Sequence, residues 1–557
     1  MLAMVTMIDG RTILELFLNR VSASGPDTAI RFKRTDAFEA KTWQEIGEDV
    51  RRVAAGLQTL GIEPGDRIAQ LSENRYEWIV ADLAIQMAQA IHVPIHAPLA
   101  AAQVDFQVNH SGSKALFVSG SEQIAKVAEA DLPQDLTVIT YESTDAAIPQ
   151  QQLHISSWLD QEAPEPSSLE QATLENTDSN DLATILYTSG TTGEPKGVML
   201  TQKNLVSNTL AVIQTFGMEP GDKRLTFLPL SHIFARTCDL YTWIGCGCEL
   251  ALAQSRETVL QDCAEIHPTV LNGVPYFYDL LLRGLQQHGL AETPGALNQM
   301  LGGKIRYCCT GGAALPDHLF DFFKSQEVPL LQGYGLTETS PVISMSTPKQ
   351  LRRGASGQAI PDVEVAISED GELISRGPHI MRGYWRNEEA TSEVIIDDWF
   401  HTGDLGKVDE DGFVWITGRK KELIVTAAGK NIAPVLLESL LTQDPLIEQA
   451  LVIGDGRNYL TALIVPNVEQ VTAQLSETPD PEKLLEQPEV QALFEKCVEE
   501  RLMGVSHHEQ VRRFFLIDRP FSIEAGEMTA KLSLRRPIIE SNFSEQIESM
   551  YRKTREQ

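Results

Sequence analysis

One short segment, Tyr187–Gly197, constrains this chain more than any other. It reads Tyr-Thr-Ser-Gly-Thr-Thr-Gly-Glu-Pro-Lys-Gly and begins at the end of an apolar run, Leu182–Tyr187, that is typical of a buried strand. Glycines let backbone N–H groups approach an anion closely, and hydroxyl groups and a lysine add further donors and positive charge. The segment therefore predicts a phosphate-binding loop. The alternative is a glycine- and threonine-rich hairpin turn.

This predicted loop differs from the P-loop of nucleoside triphosphatases. A P-loop requires Gly-Lys followed by Ser or Thr at the start of a helix. Here Lys196 is followed by Gly197 and the apolar residues Val198-Met-Leu. That order favours a second strand after the loop instead of a helix.

Length and charge narrow the classes of protein that this chain can be. Its 557 residues allow one large domain and a smaller one. The 77 acidic and 46 basic side chains give a net charge of −31, which disfavours binding to nucleic acid or to anionic lipid. The same charge opposes the approach of ATP, so an ATP site would need to be locally basic or assisted by a metal ion.

The sequence pattern predicts neither export nor membrane insertion. No apolar run reaches the roughly 18 residues of a membrane span, and residues 1–21 are typical of an amphipathic helix. The seven cysteines show no paired spacing that would indicate zinc, so we expect buried, reduced thiols. A cytoplasmic location is predicted.

Apolar patterning predicts an α/β fold for the first part of the chain. Trp43–Leu60 and Arg75–Met87 have helical spacing, and short runs at Ile68–Leu71, Ile91–Pro94 and Ala115–Val118 have the length of strands. Such alternation is typical of helices layered on sheets.

The later parts of the chain differ in amino-acid composition and in the predicted secondary structure. Glu162–Asn180 is rich in Glu, Pro, Ser and Asn and predicts an exposed linker. Short strands at Val363–Ile367, Glu372–Ser375 and Phe413–Ile416, separated by Asp-Gly and Arg-Gly turns, predict a small β-rich subdomain. The remaining residues mix helices and strands, as in a compact α+β domain.

A second motif, Gln332–Thr339, reads Gln-Gly-Tyr-Gly-Leu-Thr-Glu-Thr. Tyr334 lies between two glycines and can place its ring against a flat base. Thr337 and Glu338 supply the oxygen ligands that Mg²⁺ prefers. The alternative is a strand-to-helix turn in which Glu338 is simply solvated.

Two weaker motifs complete a possible nucleotide site. Gly311-Gly-Ala-Ala314 follows the apolar run Ile305–Thr310, and its small residues would leave space beside a bound group or would allow tight packing. Asp404 ends Trp399-Phe-His-Thr-Gly-Asp and could accept hydrogen bonds from both hydroxyls of a ribose. A surface aspartate in a turn is the alternative for Asp404.

These motifs resemble those of the adenylate-forming superfamily, which includes acyl-CoA synthetases, firefly luciferase and nonribosomal adenylation domains. The loop matches the family pattern Thr-Ser-Gly-Thr-Thr-Gly-x-Pro-Lys-Gly throughout, and the motifs follow in family order over roughly residues 10–545. The resemblance implies a large N-terminal adenylation domain, residues 1–420, built of layered α/β subdomains and a small β-rich subdomain. It implies a mobile α+β lid over residues 421–557.

The resemblance also assigns the residues of a site for ATP, Mg²⁺ and CoA. It implies catalytic roles for Lys531, Lys196, Glu338 and His232; nucleotide or CoA contacts for Thr188, Ser189, Gly190, Thr191, Thr192, Gly193, Gly312, Ala313, Gln332, Gly333, Tyr334, Gly335, Thr337, Asp404, Arg419, Lys421, Gly429, Lys430 and Asn431; and Mg²⁺ ligation by Thr188 and Glu338. His232 and Phe234 would form a wall of the acyl pocket, without a proton-transfer role for His232.

Three predicted parts of the lid follow from the same resemblance. Lys421 would be the hinge, and Gly429-Lys-Asn431 would meet the pantetheine arm of CoA after the lid rotates. Lys531 would be the catalytic lysine. Many family members have glycine before this lysine, whereas this chain has Ala530, as in the Thr-x-Thr-x-Lys variant found among long-chain enzymes. Met528 departs from both the glycine pattern and this variant.

The resemblance is strongest to long-chain fatty acid–CoA ligases, in the run Thr417–Asn431 and in Pro229–Arg236. Fatty acid, ATP and CoA are the expected substrates, and transient contact with a membrane surface stays open. An acetate enzyme would be longer, and an amino-acid enzyme would carry an aspartate for the ammonium group. Two alternatives remain: an acyl-AMP ligase that loads a carrier protein, although the insertion typical of that enzyme is missing, and a non-enzymatic nucleotide-binding or scaffold protein.

Overall fold

The computed structural model describes residues 10–144, 148–165, 169–188, 195–475, 481–522, 525–528 and 534–552. The strands are β1 (Thr28–Lys33), β2 (Phe38–Thr42), β3 (Arg67–Ser72), β4 (Ile91–His96), β5 (Ser113–Val118), β6 (Thr137–Thr140), β7 (Gln151–His154), β8 (Leu182–Thr188), β9 (Lys196–Thr201), β10 (Lys223–Thr226), β11 (Glu249–Leu252), β12 (Val270–Gly273), β13 (Tyr307–Thr310), β14 (Leu330–Gly335), β15 (Val342–Met345), β16 (Gln358–Ala359), β17 (Glu364–Ile367), β18 (Glu372–Arg376), β19 (Gly383–Tyr384), β20 (Ile395–Ile396), β21 (Trp399–Val408), β22 (Val414–Arg419), β23 (Ile424–Val425), β24 (Asn431–Ile432), β25 (Ile447–Ile453), β26 (Leu460–Pro466) and β27 (Val511–Leu516).

Helices connect and cover these strands. The α-helices are α1 (Ile13–Ser24), α2 (Trp43–Thr59), α3 (Tyr76–Met87), α4 (Ala101–Ser111), α5 (Ser121–Glu129), α6 (Ser156–Leu159), α7 (Leu169–Asn176), α8 (Gln202–Phe216), α9 (Ile233–Ala235), α10 (Thr242–Cys246), α11 (Val259–Ile266), α12 (Pro275–Gln287), α13 (Ala296–Met300), α14 (Asp317–Ser325), α15 (Glu388–Val394), α16 (Pro434–Leu441), α17 (Val468–Gln474), α18 (Pro488–Leu502), α19 (Arg536–Asn542) and α20 (Ser544–Tyr551). A π-helical turn spans Arg236–Tyr241, and 3₁₀ turns span Thr337–Thr339, Lys420–Glu422 and Pro481–Glu486.

Two large sheets form the first part of the chain. In the first, the strand order is β16-β15-β14-β13-β12-β10-β11-β1-β2, and the strands from β14 to β1 in this order are parallel. In the second, the order is β19-β9-β8-β4-β3-β5-β6-β7, and the strands from β8 to β7 are parallel. Their buried apolar runs reflect the cover that parallel sheets need on both faces.

A layer of helices packs between elements of the two sheets. Helix α2 begins at a capping box, in which Thr42 Oγ1 accepts from the Glu45 N–H and the Glu45 carboxylate accepts from the Thr42 N–H. Trp43, its first residue, stacks on Trp243 of α10 with ring centroids 4.3 Å apart. The same buried cluster includes side chains of β1 in the first sheet and β9 in the second. The predicted layered α/β fold is thus confirmed.

The later parts of the chain also have the predicted kinds of secondary structure. A third sheet of order β17-β18-β21-β20, with β22 paired to β21, forms the β-rich subdomain. After it come the hairpin β23-β24, the sheet β25-β26-β27 and helices α16–α20, which form an α+β unit. This unit touches the first part of the chain where Arg283 of α12 forms an ion pair with Glu448, 3.3 Å away.

The predicted exposed linker at Glu162–Asn180 is wrong in part. Helix α7 lies within it, and Thr173 of that helix is buried and donates a hydrogen bond to the Met87 carbonyl, 2.8 Å away. The helix forms because contact with α3 outweighs a polar composition that favours loops.

Two other predictions concern cysteines and membrane segments. All seven cysteines are free and buried, as predicted. Among the helices that the structure describes, none is both long and apolar enough to cross a membrane.

Candidate active site

Several predicted site residues meet where neighbouring parallel strands end. Thr310, the last residue of β13, pairs with Gln332 of β14. A Cβ atom added at Gly311 would lie 3.4 Å from the Gly333 carbonyl oxygen and 3.5 Å from Phe234 Cζ. Gly311 therefore brings the Gln332 motif and the segment after His232 together at the carboxyl edge of the sheet, where open α/β sheets bind ligands.

The small residues after Gly311 leave this edge open. Gly312 has a φ of +79°, and a Cβ there would meet no atom of the described structure within 4 Å. Ala313 is exposed. This geometry matches the predicted space beside a bound group better than the alternative of tight packing.

A glycine is also required where the second motif turns. A Cβ on Gly335 would lie 1.7 Å from the Pro341 carbonyl oxygen, which no side chain can tolerate. This close approach lets β14 pair with the antiparallel strand β15 and begin the 3₁₀ turn Thr337–Thr339. Thr337 and Glu338 are half-buried in that turn.

The third sheet places a carboxylate against the tyrosine of this motif. Asp404 is only 2% exposed, and its Oδ2 accepts a hydrogen bond from the Tyr334 hydroxyl, 2.7 Å away. Asp404 is paired with Arg419 across β21 and β22, and Arg419 Nε lies 3.0 Å from Asp404 Oδ1. Three residues predicted from three separate motifs are therefore one cluster.

One oxygen of this carboxylate has unused hydrogen-bonding capacity. Arg419 Nε is not in hydrogen-bond geometry to Oδ1, and no other described residue donates to that buried atom. Burial raises the pKa of Asp404 above its usual value, although the Arg419 charge and the Tyr334 hydrogen bond oppose the rise. A buried carboxylate oxygen without a donor is costly, and a ligand that brings hydroxyl groups would satisfy it.

The predicted phosphate loop connects the antiparallel strands β8 and β9. Thr188 and Lys196 face each other as the last pair of this hairpin, and both are half-buried. Cross-strand partners have Cβ atoms about 5 Å apart, so the predicted Mg²⁺ ligand and the predicted phosphate-binding lysine are neighbours. Ser189, Gly190, Thr191, Thr192 and Gly193 lie outside the described residues. The strand predicted after the loop is confirmed.

Tyr384, which sequence reasoning missed, links Lys196 to Glu338. Its hydroxyl donates a hydrogen bond to Glu338 Oε1 over 2.9 Å, and Lys196 Nζ lies 4.9 Å from its ring centroid. Strand β19, which contains Tyr384, pairs with β9. The short sequence Gly-Tyr-Trp carries no periodicity that would have singled it out.

His232 has a local structural contact. Its Nδ1 accepts a hydrogen bond from the Phe234 N–H, 3.2 Å away, at the start of α9. The imidazole therefore fixes the turn that presents Phe234 beside Gly311. This contact agrees with a pocket-wall position.

Arg236, four residues later, forms a buried hydrogen bond with strand β8. It is fully buried and donates to Thr184 Oγ1 of β8 over 2.8 Å and to Asp82 Oδ1 over 2.5 Å. Burial opposes ionisation of Asp82, but Arg236 and the neighbouring His92 lower the pKa of that carboxyl to about 2. The charge pair ties the strand that leads to the phosphate loop to helix α3.

A buried glutamate joins the Asp404 segment to the predicted hinge. Glu372 Oε1 accepts from the Gly403 N–H at 2.7 Å, and its Oε2 lies 3.0 Å from Lys420 Nζ. Lys420 also pairs with Asp370 Oδ2 at 2.5 Å. Lys421, the next residue, is exposed and makes no ion pair with a described residue.

The structure describes the remaining predicted lid residues only in part. Gly429 and Lys430 are exposed in the β23–β24 hairpin, and Gly429 has a φ of +71°. Asn431 contributes backbone to β24. Lys531 lies outside the described residues.

The assembled residues fit MgATP. The buried Asp404 oxygen would accept hydrogen bonds from ribose hydroxyls, while Lys196 would supply positive charge at the mouth of the loop. Thr188 and Glu338 would hold Mg²⁺ through oxygen atoms, the ligand type this ion takes.

Comparisons with known proteins agree with this architecture. The model of the family described as AMP-binding enzyme matches residues 18–385, and that of the AMP-binding enzyme C-terminal domain matches residues 421–555. Long-chain-fatty-acid–CoA ligase FadD15 of Mycobacterium bovis is 34% identical over 561 residues, covering 92% of each chain.

Two solved structures show the same fold. The anthranilate CoA ligase AuaEII, in complex with anthranoyl-AMP, has a TM-score of 0.77 at 20% identity, covering 96% of this chain and 98% of that one. O-succinylbenzoate CoA synthetase of Bacillus subtilis, in complex with ATP and magnesium, has a TM-score of 0.72 at 23% identity, covering 94% and 98%. Since its family model spans more than half of the sequence, this chain belongs to the AMP-binding enzyme family.

Proposed function

We propose that this protein is an AMP-forming long-chain fatty acid–CoA ligase, which activates a fatty acid as acyl-AMP and then transfers it to CoA. The observation that carries the nucleotide half of the proposal is the buried Asp404 carboxylate, with one oxygen lacking a donor, between Tyr334 and Arg419. The fatty-acid half rests on 34% identity to a long-chain-fatty-acid–CoA ligase over 92% of the chain.

Each site residue has a proposed role in holding ATP. Asp404 accepts hydrogen bonds from the ribose hydroxyls, and Arg419 contacts the ribose and phosphate. Tyr334 packs against adenine, with Gln332, Gly333, Gly335, Gly312 and Ala313 forming the rest of the pocket. Lys196 and the loop from Thr188 to Gly193 bind the phosphates, while Glu338 and Thr188 hold Mg²⁺, which neutralises phosphate charge when bound.

The chemistry needs positioning and charge neutralisation more than proton transfer. The fatty acid carboxylate attacks the α-phosphorus of ATP, and pyrophosphate leaves. The new acyl-phosphate bond has AMP as a good leaving group, so the CoA thiolate can attack the acyl carbonyl and release AMP. Donors that stabilise charge on the crowded phosphorus supply most of the acceleration in such a step, and Lys531 is the proposed mobile donor.

The proposed domain boundary lies between Lys420 and Lys421. Lys420 is held by Asp370 and Glu372 of the β-rich subdomain, whereas the exposed Lys421 makes no ion pair with a described residue. Rotation at Lys421 would remove Lys531 from the site and bring Gly429, Lys430 and Asn431 toward CoA. One site would then serve two reactions in turn.

Pyrophosphate release tests this proposal. The purified protein is given MgATP and saturated carboxylic acids from C2 to C20, with and without CoA, and acyl-CoA is measured by mass spectrometry. We expect release with long chains, and acyl-CoA only when CoA is present.

Other outcomes would redirect the proposal. Release without thioester, together with acylation of a carrier protein, would indicate a carrier-loading ligase. Release only with short or aromatic acids would refute the fatty acid substrate but leave adenylate formation standing. No release with any acid would contradict the proposed enzyme.

A further inference from the structure

The side chain of Tyr384 lies between the two groups that the proposed function assigns to the metal and to the phosphates. Its hydroxyl donates to Glu338 Oε1, 2.9 Å away, and Lys196 Nζ lies 4.9 Å from its ring centroid. The residue is only 7% exposed. A tyrosine thus contacts the carboxylate and the ammonium group at once.

The backbone around Tyr384 is fixed from both sides. On one side, the Met381 N–H donates to the Glu338 carbonyl over 2.8 Å. On the other, the Trp385 N–H donates to the Gly197 carbonyl over 2.7 Å, next to Lys196. The backbone of the segment therefore spans the gap between the Glu338 turn and the Lys196 strand.

Further contacts hold the backbone of Tyr384 in place. Tyr384 pairs with Val198 in the β19–β9 ladder, and its N–H donates to Thr391 Oγ1 of α15 over 2.9 Å. A phenol is protonated at physiological pH, so the Tyr384 hydroxyl is a donor in its contact with Glu338.

We propose that Tyr384 is a positioning residue for Mg²⁺ and ATP, which orients the Glu338 carboxylate through its hydroxyl and holds the Lys196 ammonium group through its ring. The inference rests on the proposed function. A hydrogen bond from a neighbouring residue fixes which lone pairs of a carboxylate face a metal ion, and loss of such a partner commonly costs 10–100-fold in metal affinity. A cation over an aromatic face is held by the ring quadrupole, which keeps the Lys196 ammonium group over the Tyr384 ring before ATP arrives.

The same contacts could instead serve only to satisfy buried polar groups. That structural role would lower stability on substitution, but it would leave the dependence on Mg²⁺ unchanged. The two roles therefore separate in a measurement of Mg²⁺ dependence made beside a measurement of stability.

Tyr384→Phe is the main test, since it removes the hydroxyl and keeps the ring. Tyr459→Phe is the matched control, because the Tyr459 hydroxyl also donates a single hydrogen bond, to the Met550 carbonyl at 2.9 Å, within the C-terminal unit. Pyrophosphate release is titrated with free Mg²⁺ at saturating fatty acid. We expect the half-saturating Mg²⁺ concentration to rise about tenfold in Tyr384→Phe and to stay within twofold in the control, with an unchanged KM for fatty acid.

A second measurement does not depend on turnover. Binding of a fluorescent ATP analogue is measured with Mg²⁺ and with EDTA, beside a thermal unfolding curve. In Tyr384→Phe we expect a smaller gain in affinity from Mg²⁺ at an unchanged unfolding midpoint. Tyr384→Leu also removes the ring that contacts Lys196, so it should weaken analogue binding in EDTA as well. EDTA removes Mg²⁺, so this loss would report on Lys196 alone.

The inference is overturned if Tyr384→Phe responds to Mg²⁺ as wild type does in both assays, or if a lowered unfolding midpoint is the only change. If wild type itself releases no pyrophosphate with any acid, the proposed function fails. The analogue-binding assay would then still decide whether Tyr384 governs Mg²⁺-dependent nucleotide binding.

Discussion

Replacement of Asp404 by asparagine gives the sharpest test of where the ribose lies. The substitution keeps the shape of the side chain and retains an acceptor for the Tyr334 hydroxyl, which is 2.7 Å from Oδ2. It removes the charge and turns one acceptor into a donor. Arg419, whose side chain is 50% exposed, can be solvated by water, so the loss of its partner should cost little stability.

The expected loss can be worked from the geometry. In wild type, the buried Oδ1 atom has no hydrogen-bond donor among the described residues, so a ribose hydroxyl would give it a bond to a charged acceptor. Such bonds contribute about 1.5–3 kcal/mol. With about 1.4 kcal/mol per factor of ten, kcat/KM for ATP should fall roughly 10- to 100-fold in Asp404→Asn.

Deoxynucleotides show whether this loss comes from the ribose. Rates of pyrophosphate release are compared for ATP, 2′-deoxy-ATP and 3′-deoxy-ATP at saturating fatty acid. Wild type should discriminate against at least one deoxynucleotide by about tenfold, because a deoxynucleotide lacks one of the hydroxyls that would donate to the carboxylate. In Asp404→Asn that discrimination should fall to about twofold.

Asp411→Asn is the control for this experiment. Asp411 is an exposed carboxylate of the same subdomain that pairs with Arg352, so its loss should change neither the ATP kinetics nor the discrimination. If Asp404→Asn discriminates between ATP and both deoxynucleotides as strongly as wild type, the ribose does not contact Asp404. The proposed nucleotide pose would then be wrong.

Three further predictions address the lid and stability. Lys531→Ala should slow acyl-AMP formation about 100- to 1000-fold but keep thioester formation from supplied acyl-AMP, and an equal loss of both half-reactions would contradict its role. Lys421→Pro should harm thioester formation more than adenylation because proline fixes φ, and unaltered thioester formation would argue against a hinge there. Burial lowers the pKa of His379 from 6.5 to about 3, so the unfolded chain binds a proton more readily. The contribution of His379 to the free energy of unfolding should therefore be largest above pH 6.5 and fall by about 1.4 kcal/mol per pH unit as the pH drops toward about 3. Buried His92, whose pKa is lowered to about 4, contributes in the same direction. In urea unfolding, His379→Gln should lessen that slope, and an unchanged slope would exclude His379 as its source.

Local patterns predicted the fold well where one physical signal dominated. Leu182–Tyr187 and Val198–Leu200 are apolar runs of strand length, and both are strands. Trp43–Leu60 has helical spacing behind a Thr-x-x-Glu cap, and α2 occupies it almost to the residue. In Glu162–Asn180 the polar composition indicated a linker, but tertiary contacts such as Thr173 with the Met87 carbonyl produced a helix.

The site was predictable only as separate pieces. Motifs marked Tyr334 and Asp404 because each adjoins a glycine, and the family resemblance marked Arg419. No sequence rule states that the Tyr334 hydroxyl meets Asp404, which is 70 residues away, and that contact follows from packing of the third sheet against the first. Glu372 and Tyr384 were missed as site residues for the same reason, since their partners lie far away in sequence.

Charge explains why a residue such as Tyr384 matters in this protein. The chain carries a net charge of −31, so ATP approaches against repulsion. Of the described cations at the site, Arg419 is paired with Asp404, which partly offsets its charge. Lys196 lies over the ring of Tyr384, whose hydroxyl contacts Glu338. Bound Mg²⁺ would offset phosphate charge that these cations leave uncompensated, so ATP binding should depend strongly on Mg²⁺. A hydroxyl that fixes Glu338 for the metal would then influence ATP affinity more than its single hydrogen bond implies.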